Sequence, residues 1–192
     1  TTGDIEFFAG SFSGTNPVVS TTINGGFTDA WHHVAITRVG NIFRLLFDGE
    51  LKNTATQSVT FNTSAELRIG ADNHPSIGSR FFFNGYIDDF RILTGYAKYT
   101  ADFVPPTTAV TTSVSETVND LTVLYMPFDS TEQTSSVAAS QTSLYLPFDS
   151  DTNDDSAQSH TVTNNGVTIS SAQSKFGGYS ALFDGTNDYL SI

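Results

Sequence analysis

Residues 31–38 and 42–47 alternate apolar and polar side chains with a period of two, and the second stretch runs directly into Asp48-Gly49. That period places Ile42, Arg44 and Leu46 on one face of a strand and Phe43, Leu45 and Phe47 on the other. An Asp-Gly pair tolerates the positive φ angles of a tight hairpin, so register and turn are specified together. The same grammar continues from Thr1 to Pro106, with candidate strands at 4–8, 17–23, 31–38, 42–47, 57–61, 66–70, 80–83 and 86–93. Asn24-Gly25-Gly26 and Asn84-Gly85 read as further turns between antiparallel neighbours. Helical periodicity is missing, which leaves an antiparallel sandwich or barrel.

Composition sets what such a fold can hold and meet. The 192 residues suit one large all-β domain or one and a half smaller ones, and 16 Phe, 7 Tyr and 1 Trp supply enough bulk for a core. Twenty acidic residues against eight basic ones give a formal charge of -12, with the Lys and Arg scattered singly. A phosphate backbone is repelled by that balance, so nucleic acid is set aside as a partner. Acidic, oxygen-rich loops suit divalent cations and keep an extracellular protein soluble. There is no Cys, hence no disulfide and no thiolate metal site. No apolar run approaches the roughly 18 residues a membrane span needs, so membrane insertion is not expected. The chain opens without Met and closes inside a strand pattern, which reads as a fragment of something longer.

Late in the chain a heptapeptide occurs twice with one change, Leu-Tyr-Met-Pro-Phe-Asp-Ser at 124–130 and Leu-Tyr-Leu-Pro-Phe-Asp-Ser at 144–150, an offset of 20 residues. No sandwich module or solenoid unit needs to be that short, so the copies read as alternative or successive opening strands. Thr/Ser-rich stretches flank the first copy, defining a linker over 108–142 that carries it at 121–130. Beyond the second copy come a polar acidic loop at 151–156, alternating strands at 160–169 and 179–183, a turn at Asn164-Asn165-Gly166, and a strand, turn and strand across 183–190.

Trp31-His32-His33-Val34-Ala35-Ile36-Thr37-Arg38, Leu45-Leu46-Phe47-Asp48-Gly49-Glu50, Leu67-Arg68-Ile69-Gly70 and Phe83-Asn84-Gly85-Tyr86-Ile87-Asp88-Asp89-Phe90-Arg91-Ile92 together resemble the laminin G-like, concanavalin A-like domains. The segment from Ala97 to Pro106 is similar to the closing segment of such domains on phage fibres and bacterial surface proteins. Residues 143–192 also resemble the family, but its opening half: Leu-Tyr-Leu-Pro-Phe-Asp, then Ser174-Lys175-Phe176-Gly177-Gly178, Phe183-Asp184-Gly185 and Tyr189-Leu190-Ser191-Ile192. The resemblance implies an antiparallel β-sandwich of jelly-roll type. It makes residues 1–107 the closing portion of one domain and 143–192 the opening portion of another, a boundary in a tandem array. The family's intervening strands have no counterpart here. Unpaired edges are unstable, so three completions stand open: 143–192 folds back on 1–107 as a permutation, neighbouring chains exchange halves, or residues outside this chain supply the missing strands.

In a jelly roll of this family the opening strand pairs antiparallel with the closing one, so Asp129 or Asp149 should lie near Asp88. The resemblance implies a structural Ca²⁺ there, with six to eight oxygen ligands, and Asp184 in its Gly185 turn is a further candidate ligand; Asp88, Asp129, Asp149 and Asp184 form the expected metal set. The plainer reading of Asp88 and Asp89 is a turn cap or a solvated pair, and that of Asp184, Asn187 and Asp188 a hairpin turn. The loop opening at Asp149 imitates an EF-hand through Asp151 and Asn153, then fails with Asp154 at position six and His160 at position twelve. His32 and His33, on consecutive strand positions, point to opposite faces and do not share a metal. Phe81-Phe82-Phe83 with Tyr86, Tyr96 and Tyr99 offer aromatic faces for sugar rings, although burial is their commoner fate. Asn62-Thr63-Ser64 fits a glycosylation acceptor. No nucleophile elbow, phosphate loop or dinucleotide motif is present. Adjacent Asp88 and Asp89 face opposite sides and do not flank one glycosidic bond.

The expectation is therefore a non-enzymatic laminin G-like module of a repetitive extracellular or virion-surface fibre, meeting surface polysaccharide and neighbouring copies of its own chain. A purely structural spacer is the first rival and a glycan hydrolase the second. Fold alone does not choose among them.

Overall fold

The computed structural model describes residues 2–8, 17–27, 29–61, 66–74, 78–109 and 142–192. Every regular element in them is a β-strand, and each strand pairing is antiparallel. Among the described residues no helix is long and apolar enough to cross a membrane.

The N-terminal part packs one small sheet on another. β1 (Thr2–Phe7) pairs with β2 (Val19–Asn24), while β3 (Val34–Val39), β4 (Ile42–Phe47) and β5 (Glu50–Thr56) form a meander. The strands expected at 31–38 and 42–47 pair with each other: Ile36 stands opposite Leu45 and Arg38 opposite Phe43. Phe43 and Leu45 are buried with Val18 and Val19, and Ile5, Phe7, Ile36, Ala55 and Val59 pack against them. The turn into β5 has Asp48 at φ 49° and Gly49 at φ 85°, the left-handed pair an Asp-Gly hairpin requires.

β5 departs from expectation. Residues 57–61 were the candidate strand, yet pairing occupies 50–56 and ends there. Glu50-Leu51-Lys52-Asn53-Thr54-Ala55-Thr56 is polar because it is an edge with one face in solvent. Val59 reaches the core from a loop, tied by Arg38 Nη2 donating to its carbonyl at 3.0 Å.

The second half of the fold is built from the middle of the chain and its C-terminal part. β6 (Arg68–Ile69), β7 (Asp72–His74), β8 (Gly78–Arg80), β9 (Asn84–Ile87) and β10 (Phe90–Leu93) come first. They are followed by β11 (Thr142–Leu146), β12 (Thr163–Asn165), β13 (Thr168–Ser170), β14 (Ser180–Asp184) and β15 (Tyr189–Ser191). β11 pairs with β10, β14 lies between β13 and β9, and β15 lies between β12 and β6. Of the two heptapeptides, the copy at 144–150 therefore occupies the edge of β10; the copy at 124–130 lies outside the described residues, as does Asn62-Thr63-Ser64.

These pairings explain the remaining strand differences. Asn84-Gly85 is not a hairpin turn: both residues are in β9, opposite Asp184 and Phe183, because the partner of this strand comes from a hundred residues away. The stretch 86–93 divides at Asp88-Asp89, and 160–169 divides into β12 and β13, which pair with different strands. The candidate strand at 80–83 shifts to β8, and Phe81 leaves it at φ 53°. β7 was not anticipated.

The core here joins these two segments. Ile69 is buried with Leu144, Leu146, Phe148, Val167, Ala181, Phe183 and Leu190, and Leu67, Ile87, Phe90 and Ile92 pack against them. At about 25 cal/mol per Å² of apolar surface removed from water, this shared burial is the main term holding residues 142–192 on residues 66–93.

A closing tail then wraps the hairpin turn. Phe103 N donates to the Gly49 carbonyl at 2.8 Å, Leu51 N donates to Asp102 Oδ1 at 2.7 Å, and Thr37 Oγ1 donates to the Tyr99 carbonyl at 2.8 Å. Tyr99 and Phe103 stack at 3.6 Å between ring centroids, with His33 edge-on to both.

Candidate functional site: an acidic seam

Antiparallel pairing of β10 with β11, Phe90 opposite Leu146, carries the chain after β11 towards the residues before β10. Pro147-Phe148 then turns it. Phe148 sits at φ 62° with its ring fully buried, a left-handed conformation that a bulky residue adopts only when the surroundings hold it. Asp149 follows immediately and reaches the loop preceding β14, where a methyl group at Gly177 would overlap its carboxylate. Gly177, at φ 59°, is thus required twice: by its backbone angle and by the acid lying over it.

Asp88 arrives at the same loop from the other side. Its Oδ2 accepts hydrogen bonds from Lys175 N at 2.7 Å and Phe176 N at 2.9 Å. Its Oδ1 is buried and has no hydrogen-bond partner among the described residues. Burial pushes the Asp88 carboxyl above its ordinary range, the two amides pull it down, and the charges of Asp89 and Asp149 raise it again.

Asp89 is turned elsewhere. At φ 53° it breaks the strand between β9 and β10, and it accepts the hydroxyl of Tyr145. Burial, that acceptor and the neighbouring acids push the Tyr145 phenol far above its ordinary range. Asp89 Oδ1 is also buried without a partner. The same corner reaches the N-terminal sheet through His33, whose pKa is lowered by burial first and then by Arg91, with Asp48 and Asp89 opposing.

The expected metal set is thus divided by the fold. Asp88 and Asp149 share the 175–178 loop. Asp184 is held opposite Asn84, at the far end of β9 from Asp88, and its Oδ1 accepts Thr186 N at 2.7 Å within its own turn. Asp188 is buried and accepts Asp184 N at 3.0 Å, so this turn spends its oxygens on its own backbone. Asp129 lies outside the described residues.

The donor set at the seam suits a hard cation in part. Two carboxylates and a buried, unpartnered oxygen are what Ca²⁺ takes. Among the described residues, however, no three His, Asp or Glu side chains converge on one point. A cation here would draw on Asp88 and Asp149 and complete its shell with backbone carbonyls and water.

The two histidines separate as their spacing implies. His32 stacks on Phe47 at 4.8 Å and shares Asp48 through Nδ1 at 2.7 Å, while His33 faces Tyr99 and Phe103. Asp48 also accepts His33 N at 2.8 Å, so one carboxylate ties both residues to the hairpin turn. Of the aromatic run, Phe81 is 75% exposed under the Arg80 guanidinium at 4.6 Å, and Phe83 meets Phe183 edge-on at 6.0 Å.

The residue that sequence reasoning missed is Asp154. Within the acidic loop it is the buried member, and its carboxylate accepts Tyr145 N at 3.0 Å, Ser156 N at 2.9 Å, Ser156 Oγ at 3.0 Å, and both His160 N and Nδ1 at 2.8 Å. Burial works to raise its pKa, but the hydrogen bonds prevail and hold it well below the usual carboxylate range. Around it Asp149, Asp151 and Asp155 stay exposed, and burial together with those charges raises Asp155.

Comparison with known proteins gives one match. A laminin G-type family model, described as the concanavalin A-like lectin/glucanases superfamily, covers residues 2–97. No curated protein and no solved structure matches. With half its length covered, and with the antiparallel multi-sheet architecture of a β-sandwich, the chain belongs to the concanavalin A-like lectin/glucanases superfamily.

Proposed function

We propose that this chain is a non-enzymatic laminin G-like module of a repetitive fibre on a virion or cell surface, where it mediates adhesion by binding surface polysaccharide. The observation that carries the reading is the seam: Asp88 and Asp149 both lie against the 175–178 loop, and an Asp88 oxygen is buried with no partner among the described residues. Bound Ca²⁺ would neutralise these like charges and offer open coordination positions to vicinal sugar hydroxyls. The chain's own part is to aim the two acids. Phe148 fixes Asp149, the 175–176 amides fix Asp88, and Gly177, lacking a side chain, makes room for the Asp149 carboxylate.

The non-enzymatic reading is supported by how the adjacent acids are oriented. Asp88 turns to the 175–176 amides and Asp89 to Tyr145, whereas glycoside hydrolysis needs two carboxyls flanking one bond. The charge of -12 argues for a partner that is not a polyanion. Neighbouring copies of the chain complete the expected setting.

A polysaccharide array run with Ca²⁺ and with chelator tests the proposal, using the native chain and Asp149→Asn. Binding present with Ca²⁺, lost on chelation and lost in Asp149→Asn is the expected result. Absence of binding with Ca²⁺ present overturns it in favour of a structural spacer. Release of reducing ends overturns the non-enzymatic part.

A further inference from the structure

One chain carries two nearly identical heptapeptides, at 124–130 and 144–150, and the second runs from the strand paired with β10. The side chains that seat the strand do not distinguish the copies. Leu144, Tyr145 and Phe148 of β11 and its turn are matched by Leu124, Tyr125 and Phe128, and Leu146 by Met126, a swap of similar volume that cores tolerate. Chain entropy distinguishes them weakly, since closure cost grows only with the logarithm of loop length.

What differs is the segment that follows. β11 has one edge on β10, and its other edge is capped by residues 154–156: Tyr145 N donates to Asp154 Oδ1 at 3.0 Å, Asp155 N donates to the Tyr145 carbonyl at 2.9 Å, and Ser156 Oγ donates to the Ser143 carbonyl at 3.4 Å. The cap is itself held by His160, whose N and Nδ1 both lie 2.8 Å from Asp154 Oδ2. At the same spacing after the first copy stand Thr134 for Asp154, Ser135 for Asp155, Ser136 for Ser156 and Ser140 for His160. A threonine hydroxyl cannot accept five hydrogen bonds. A strand seated without the cap leaves the Tyr125 amide, the counterpart of a buried one, with no charged acceptor.

The geometry points to Asp154 as the residue that selects the 144–150 heptapeptide over its near-copy at 124–130 for the edge of β10. The inference does not depend on glycan binding or on Ca²⁺. It gives Asp154 a role that a merely buried acid would lack: removing it changes which strand is paired, and moving it should move the pairing.

Introduced cysteine pairs report this without background, because the chain has no Cys. Thr94 Oγ1 lies 2.7 Å from Ser143 Oγ, so Thr94→Cys with Ser143→Cys can close a disulfide; Val123 is the counterpart of Ser143, and Thr94→Cys with Val123→Cys reports the other copy. Each pair is oxidised in the full chain and the linked peptides are quantified by mass spectrometry. In the native background the 94–143 link should dominate by tenfold or more. In Asp154→Thr the 94–123 link should rise at least fivefold. To separate selection from loss of fold, the transplant Thr134→Asp with Ser140→His is measured too, with Asp154 intact, and should raise the 94–123 link likewise. A 94–123 link that stays at background in the transplant, or one that rivals 94–143 in the native chain, overturns the assignment.

Discussion

Asp154 shows how one side chain carries local order that its type does not announce. In the sequence it is one of several acids in a polar loop, and nothing in composition separates it from Asp151 or Asp155. Its burial depends on β11 lying beside it. Hydrogen bonds to a buried carboxylate contribute about 1.5–3 kcal/mol each before desolvation is charged against them, so Asp154→Asn is expected to destabilise the chain by about 2–3 kcal/mol at pH 7. The sign with pH follows from its depressed pKa. The stabilisation is fully present above the unfolded carboxylate value of about 4 and is lost as pH falls from there through the folded value. Denaturant titrations of native and Asp154→Asn chains should therefore converge below about pH 4. A difference that stays constant to pH 2 contradicts the account. Asp88, by contrast, was legible as a candidate because it sits in a motif with an antiparallel partner. Asp184 was not separable from it, since the distance between them is set by a register with Asn84 that only the folded sheet reveals.

Elements were legible where pairing is local. Strand β4 was read at the right faces and Asp48-Gly49 as the tight turn that follows it, because alternation and an Asp-Gly pair fix both. Where the partner is remote, the same signals misled. Asn84-Gly85 has hairpin chemistry and instead lies within β9, since Asp184 and Phe183 come to meet it. The polar edge strand β5 was passed over for the more apolar 57–61, whose Val59 packs without pairing. The closing tail offers a test at this scale. Gly49 has φ 85°, and a Cβ there would collide with the Phe103 carbonyl and the Pro105 ring. Gly49→Ala is expected to cost about 2–3 kcal/mol, from the left-handed angle plus the lost contact, and to speed exchange of the Phe103 and Leu51 amides. Unchanged exchange at both would show that the tail does not depend on this approach.

At the scale of the molecule the decisive feature is a core with two sources. Ile69, Ile87, Phe90 and Ile92 on one side and Leu144, Leu146, Phe148, Phe183 and Leu190 on the other close a single cluster, and three strand pairings cross between the same two segments. The sequence leaves fold-back, exchange and outside strands as alternatives; periodicity and turn chemistry describe neighbours along the chain and do not report which distant edges meet. In the structure residues 142–192 fold back on 66–93, which places Asp149 beside the Asp88 loop. Fragment complementation tests this directly. Residues 1–109 and 142–192 are prepared separately and mixed, and association and thermal unfolding are followed by ultracentrifugation and circular dichroism. The account predicts that 142–192 alone shows no cooperative melt and that the mixture forms a one-to-one complex melting well above either fragment. Failure to associate, with 1–109 alone melting as the intact chain does, would contradict it.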